Sequence, residues 1–181
     1  MIVFLSGGAK NGKTALAEDI AVKLSGGGRR YYVATMIPYD DEDRARIARH
    51  VEERAEKGFG TLEVGRDIGS CPSLGGRDAT YLVDSVTALL LNEMYPDTFE
   101  READPTAAER CHAGLLRLGR EAENAVFVSD YLYSDAARYD AFTENYRRDL
   151  ASLDRTVAGM ADVVIELSAG IPIVRKGEFV L

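Results

Sequence analysis

The chain has 181 residues, 46% hydrophobic and 29% charged, which fits a single domain over residues 1–181 with one core of its own. Its 22 Lys and Arg against 30 Asp and Glu leave a formal net charge of −8, which speaks against a surface built to neutralise a nucleic-acid backbone. The two cysteines, Cys71 and Cys111, lack metal-ligand spacing and are too few for a disulfide framework, and no apolar run approaches the roughly 20 residues of a membrane span, so a soluble, cytoplasmic protein is expected.

In chain order, Ile2–Leu5 reads as a short buried strand, followed by a glycine turn and a helix over Thr14–Leu24 with apolar positions at Leu16, Ile20 and Leu24. Gly26–Gly28 closes that unit. Tyr31–Thr35 is the next strand, and Asp40 and Asp41 cap a helix that runs to about Lys57. Thr61–Val64 is a short strand and Gly65–Arg77, rich in Gly, Pro and Ser, a loose connection. A stronger strand at Tyr81–Asp84 leads into a helix at Val86–Met94, which Pro96 ends. Pro105 suits the first turn of a helix reaching about Glu123. Strand Ala125–Val128, helix Ala141–Met160 and strand Val163–Leu167 follow, and the tail from Ile171 to Leu181 leaves room for a hairpin at a sheet edge. Alternating strands and helices predict an α/β, three-layer fold: a mostly parallel sheet with helices on both faces and ligands at the carboxyl ends of the strands.

Gly7-Gly8-Ala9-Lys10-Asn11-Gly12-Lys13-Thr14 satisfies G-x-x-x-x-G-K-[ST] between the first strand and the first helix, the context that a P-loop requires. A triphosphate needs many donors converging on a small volume. Glycines let the main chain wrap closely, so that successive N–H groups and the helix start face phosphate oxygens. Lys13 is expected to reach the β and γ phosphates, and the Thr14 hydroxyl to ligate Mg²⁺. Asp84, ending an apolar strand, is the candidate acidic partner of that metal; its other reading is the N-cap of the helix that follows.

Of the two histidines, His112 beside Cys111 reads as structural. His50 differs, because Arg46, His50 and Arg54 fall at i, i+4 and i+8 on one face of the expected helix. Positive neighbours disfavour protonation of the imidazole, and the neutral form is the one able to attack phosphorus. The competing reading is a solvated, charged helix, since Glu42, Glu52 and Glu53 lie within reach of Arg46 and Arg49.

The P-loop run, Tyr32-Val33-Ala34-Thr35, Asp40-Asp41-Glu42 leading to Arg46-Ile47-Ala48-Arg49-His50, and Asp84-Ser85-Val86-Thr87 with Asn92 together resemble the bifunctional adenosylcobinamide kinase and adenosylcobinamide-phosphate guanylyltransferase family. Weaker similarity continues through Val126-Phe127-Val128, Tyr146-Arg147, Ala161-Asp162 and Gly170-Ile171-Pro172. The resemblance implies phosphorylation of the aminopropanol hydroxyl of adenosylcobinamide by GTP or ATP, then transfer of GMP from GTP through a guanylylated histidine at the position of His50. It also implies a homotrimer. On the helix spacing given above, Arg46 is expected as a catalytic neighbour of His50 and Arg54 as a nucleotide contact, with Glu63 as a further candidate nucleotide contact. The chain departs from the family in three places. Ser129-Asp130-Tyr131-Leu132-Tyr133-Ser134-Asp135 replaces an Asn-Glu and a glycine-rich loop, Asp154-Arg155 stands for a common Asn-Gln, and Arg54-Ala55 and Phe59 stand for an Arg-Pro and a Trp. A P-loop kinase of another small hydroxyl substrate, without the guanylyl step, and a non-catalytic nucleotide-binding module are the alternatives.

Overall fold

The computed structural model describes residues 1–38, 56–96, 103–134 and 136–179. Seven strands, β1 (Ile2–Gly7), β2 (Arg30–Ala34), β3 (Gly60–Glu63), β4 (Thr80–Asp84), β5 (Asn124–Asp130), β6 (Val163–Ser168) and β7 (Ile171–Lys176), form one sheet in the order β3-β2-β4-β5-β1-β6-β7. Every pairing is parallel except β6 with β7, which is the expected edge hairpin.

The helices are α1 (Lys13–Ser25), α2 (Cys71–Gly75), α3 (Val86–Met94), α4 (Ala107–Glu121) and α5 (Ala141–Met160), with a 3₁₀ turn at Ile68–Ser70 before α2. The central strands are apolar on both sides, and successive side chains sort into two cores. Val3, Leu5, Leu82, Val126 and Val128 pack with Ile20 and Ala21 of α1. Phe4, Tyr81, Val83 and Phe127 face the other way, onto Leu89, Leu115, Leu118, Leu150 and Leu153 of α3, α4 and α5. This is the P-loop α/β arrangement, with helices on both faces of the sheet.

Several local readings change. In α1 the buried positions are Lys13, Ala17, Ile20 and Ala21, while Leu16 and Leu24 flank the core. The helix ends on Gly26, whose left-handed φ of 54° lets its N–H reach Lys23 O. The loose stretch after Gly65 contains the 3₁₀ turn and α2, held from outside by Tyr81, whose hydroxyl donates to Cys71 O at 3.1 Å and Gly76 O at 2.6 Å. Pro105 falls in the turn before α4, whose N-cap is Thr106. Asp84 is not the cap of α3: Ser85 is, its hydroxyl accepting from Ala88 N at 3.2 Å. The helix expected from Asp41 to Lys57 lies, but for its last two residues, outside the described residues. Among the described residues no helix is long and apolar enough to cross a membrane.

Candidate functional site: the phosphate cleft

Strand order builds the site. The chain leaves β1 at Gly7 and turns through 8–12 into α1, so this loop lies at the carboxyl edge of the sheet. Gly7 packs so closely on β6 that a Cβ would stand 2.7 Å from Leu167 O. Gly12 has open space around it, but its φ of 83° is left-handed and favours glycine. Asn11 Nδ2 donates to Leu167 O at 3.2 Å and ties the loop to the same strand.

Lys13, Thr14 and Asp84 meet here. Thr14 Oγ1 donates to Asp84 Oδ2 at 2.8 Å, and Tyr32 Oη donates to the same oxygen at 2.8 Å. Asp84 ends β4, and β5 lies between that strand and β1. Thr35 fixes the next residue from both sides, accepting from Ser85 N at 2.6 Å and donating to Ser85 O at 2.9 Å. Lys13 is only 5% exposed and turns back over the loop: Nζ donates to Gly8 O at 2.6 Å and pairs with Asp130 Oδ1 at 2.6 Å.

Asp130 was not among the residues expected at the site. It ends β5 directly opposite Gly7, and Tyr131 N donates to Gly7 O at 3.3 Å. The signal available was its position at the end of an apolar strand, the same signal that marks Asp84. Its backbone N–H donates to Thr87 Oγ1 at 2.9 Å. Together Lys10, Asn11, Gly12, Lys13, Thr14, Asp84, Val128 and Asp130 line an open cleft of about 170 Å³.

The hydroxyl of Thr14 and the carboxylate of Asp84 stand side by side as hard oxygen donors. That is the set Mg²⁺ takes when phosphate and water fill its remaining positions. Gly7, Gly8 and Ala9 form the turn into the cleft without lining it. Glu63 is exposed at the carboxyl end of β3, at the sheet edge beyond β2 and away from this lining. Arg46, His50 and Arg54 lie outside the described residues.

Other residues singled out in the sequence have structural surroundings. His112 is half-buried between Thr156 Oγ1, 2.9 Å from Nδ1, and Ser152 Oγ, 3.3 Å from Nε2; loss of hydration lowers its pKa. Asn92 is buried and donates to Thr35 O and Gly65 O. Cys71 and Cys111 are buried free thiols whose pKa burial pushes up to about 12, the opposite of an activated nucleophile.

The family described as cobinamide kinase / cobinamide phosphate guanyltransferase matches residues 3–174. No curated protein matches the chain. Among solved structures, an ATPase domain is similar at a TM-score of 0.54 and 12% identity, over 97% of this chain and 76% of that one, which is a likeness of fold. The flagellar accessory protein FlaH from Methanocaldococcus jannaschii aligns at a TM-score of 0.49 and 12% identity, over 97% and 78% of the two chains.

Proposed function

Because the chain belongs to the cobinamide kinase / cobinamide phosphate guanyltransferase family, and so is a transferase of cobalamin biosynthesis, we propose that the cradle from Gly7 to Thr14 holds the triphosphate, GTP or ATP, for transfer to adenosylcobinamide, and that His50 carries GMP in the second reaction. The observation that carries this reading is the convergence of Lys13, Thr14 and Asp84 on one cleft at the start of α1.

The chemistry follows from the cradle. Glycine-shaped main chain and the helix start present N–H groups to the phosphates, and Lys13 adds a positive charge where the β,γ-bridging oxygen gains negative charge. Thr14 and Asp84 would hold Mg²⁺, which when bound neutralises phosphate oxygens. Tyr32 keeps Asp84 oriented by its hydrogen bond. In the guanylyl step the neutral imidazole of His50 bonds to the α-phosphorus as pyrophosphate leaves. A phosphate oxygen of adenosylcobinamide phosphate then displaces the histidine, so one difficult transfer becomes two displacements. Arg46 and Arg54 flank the imidazole in this reading. A cytoplasmic homo-oligomer, a trimer by the family resemblance, is the proposed form.

The test is labelling with GTP carrying the label at its α phosphate. A protein adduct that is lost in acid, kept in base and missing in His50→Ala is expected, because a phosphoramidate hydrolyses in acid. Bound GTP with no adduct in the wild type would instead favour a kinase without the guanylyl step; bound GTP with neither an adduct nor phosphorylated cobinamide would favour a non-catalytic module, to which the loop lacking glycines after Asp130 points.

A further inference from the structure

We propose that Asp130 is the proton acceptor of the kinase step, kept occupied by Lys13 until a nucleotide draws the lysine onto its phosphates. The proposal rests on the kinase reading of the cleft.

Only two carboxylates line this cleft among the described residues, and their surroundings divide the work between them. Asp84 accepts from the hydroxyls of Thr14 and Tyr32 and stands on the side where a metal would be held. Asp130 is paired with Lys13 alone among the described residues, through Oδ1, and is 29% exposed toward the open cleft. Phosphoryl transfer to a hydroxyl requires an acceptor for the hydroxyl proton close to the phosphate cradle, and an aspartate is a usual choice. Asp130 stands opposite Gly7 at the end of β5, beside the cradle.

The lysine's geometry supplies the coupling. In this structure Nζ is engaged by Asp130 and Gly8 O, both 2.6 Å away. A polyphosphate offers Lys13 more negative charge than one carboxylate does, so binding favours the exchange of partner. Asp130 is then released as a free carboxylate when the phosphoryl donor is in place. It does not move far, since its backbone is fixed by Thr87 Oγ1. Beyond it Arg147 Nε holds Leu132 O at 3.1 Å, and Tyr133 Oη donates to Asp154 at 2.7 Å.

In the step itself the substrate hydroxyl oxygen bonds to the γ-phosphorus. The bond from that phosphorus to the β,γ-bridging oxygen breaks, its electron pair leaving with the nucleoside diphosphate. The hydroxyl proton passes to the Asp130 carboxylate, which returns it to solvent.

The bifunctional chain carries its own control, because guanylyl transfer to pre-formed adenosylcobinamide phosphate has no such proton to remove. In Asp130→Asn the kinase rate is expected to fall roughly 10²–10³-fold while guanylyl transfer stays within about threefold of wild type. GTP affinity is expected to be equal or tighter, since Lys13 loses its competing partner. Asp130→Glu should recover part of the kinase rate, and formate added to Asp130→Ala should raise it with concentration. Three results overturn the proposal: kinase activity within about threefold of wild type in Asp130→Asn, a parallel fall of both activities, or variants that no longer bind GTP. A wild-type enzyme that binds GTP yet leaves adenosylcobinamide unphosphorylated is a separate result, which removes the kinase reading and the proposal with it.

Discussion

Among the described residues, two concave regions can be compared, and they differ in how their charges are used. The larger is a groove of about 390 Å³ whose lining includes Arg66, Asp67, Glu93, Arg110, Ala113 and Arg117. Glu93 and the arginines of this groove are engaged within the fold. The buried carboxylate of Glu93 accepts from Asp67 N at 2.8 Å and Arg110 Nε at 3.0 Å, and Arg110 also reaches Asp104. Arg66 donates to the carbonyls of Asn92 and Pro96, and Arg117 to Glu121 one turn on. The phosphate cleft is less than half that size, yet its lysine is held by one carboxylate and one carbonyl, and its main-chain donors sit at a helix start. Size alone does not choose between them. What sets the cleft apart is its place at the glycine loop and the start of α1.

The sharpest way to break this comparison is Lys13→Ala. Loss of a preorganised charge at the phosphates is expected to lower both activities by roughly 10²–10³-fold or more. The melting temperature should hold or fall slightly, as Asp130 retains 29% exposure and can hydrate. Rates for each half-reaction beside a thermal melt check this; an unchanged kinase rate would remove the cradle from the mechanism.

Glu93→Ala should behave in the opposite way. It removes a nearly buried carboxylate from Arg110 and from the Asp67 N–H, and is expected to cost about 1–3 kcal/mol of stability, read by urea unfolding. The guanidinium is 43% exposed and recovers some hydration, which keeps the loss below that of a wholly buried pair. The kinase rate of the folded protein should stay near wild type. A rate loss as large as that of Lys13→Ala would turn the groove into a second functional site.

The last expected effect emerges only as pH is varied, and it sits behind the loop that carries Asp130. Asp154 is 3% exposed, and Tyr133 donates to its Oδ2 while Oδ1 has no hydrogen-bond partner among the described residues. Burial pushes its pKa up from 3.8 to about 6, against the pull of the Tyr133 and Ser129 hydroxyls. A carboxyl whose folded pKa lies above its unfolded value costs the native state nothing at low pH. Stability then declines as pH rises from the unfolded value through about 6, and the full cost is present above it. Asp154→Asn removes that decline. Its melting temperature should match wild type near pH 4 and exceed it at pH 8, by an amount corresponding to about 1–3 kcal/mol. A wild-type melting curve flat across this interval would contradict the buried, charged Asp154.

Local signals account for much of what was readable in advance. Helices at Val86–Met94 and Ala141–Met160 have the expected bounds, because a capping side chain precedes each: Ser85 accepts from Ala88 N and Asp140 from Thr143 N. The turn and helix between Ile68 and Gly75 were hidden, since a five-residue helix has little propensity of its own and is held by the Tyr81 hydroxyl from a strand ten residues away. Asp84 was legible as a site residue, but its role as a cap was not separable from its role at Thr14 until Ser85 was seen to take the cap. Asp130 was legible only as one residue of an altered loop.

By itself the sequence determined the strand, the glycine loop and the lysine-bearing helix start, because hydrophobic period, left-handed turn positions and capping act over a few residues. Tertiary structure alone decided which carboxylates meet that loop. β5 inserts between β1 and β4, so residues 84 and 130, distant along the chain, arrive on either side of Thr14 and Lys13. Sheet order is set by how whole layers bury their apolar faces, and no spacing between two aspartates in the chain encodes it.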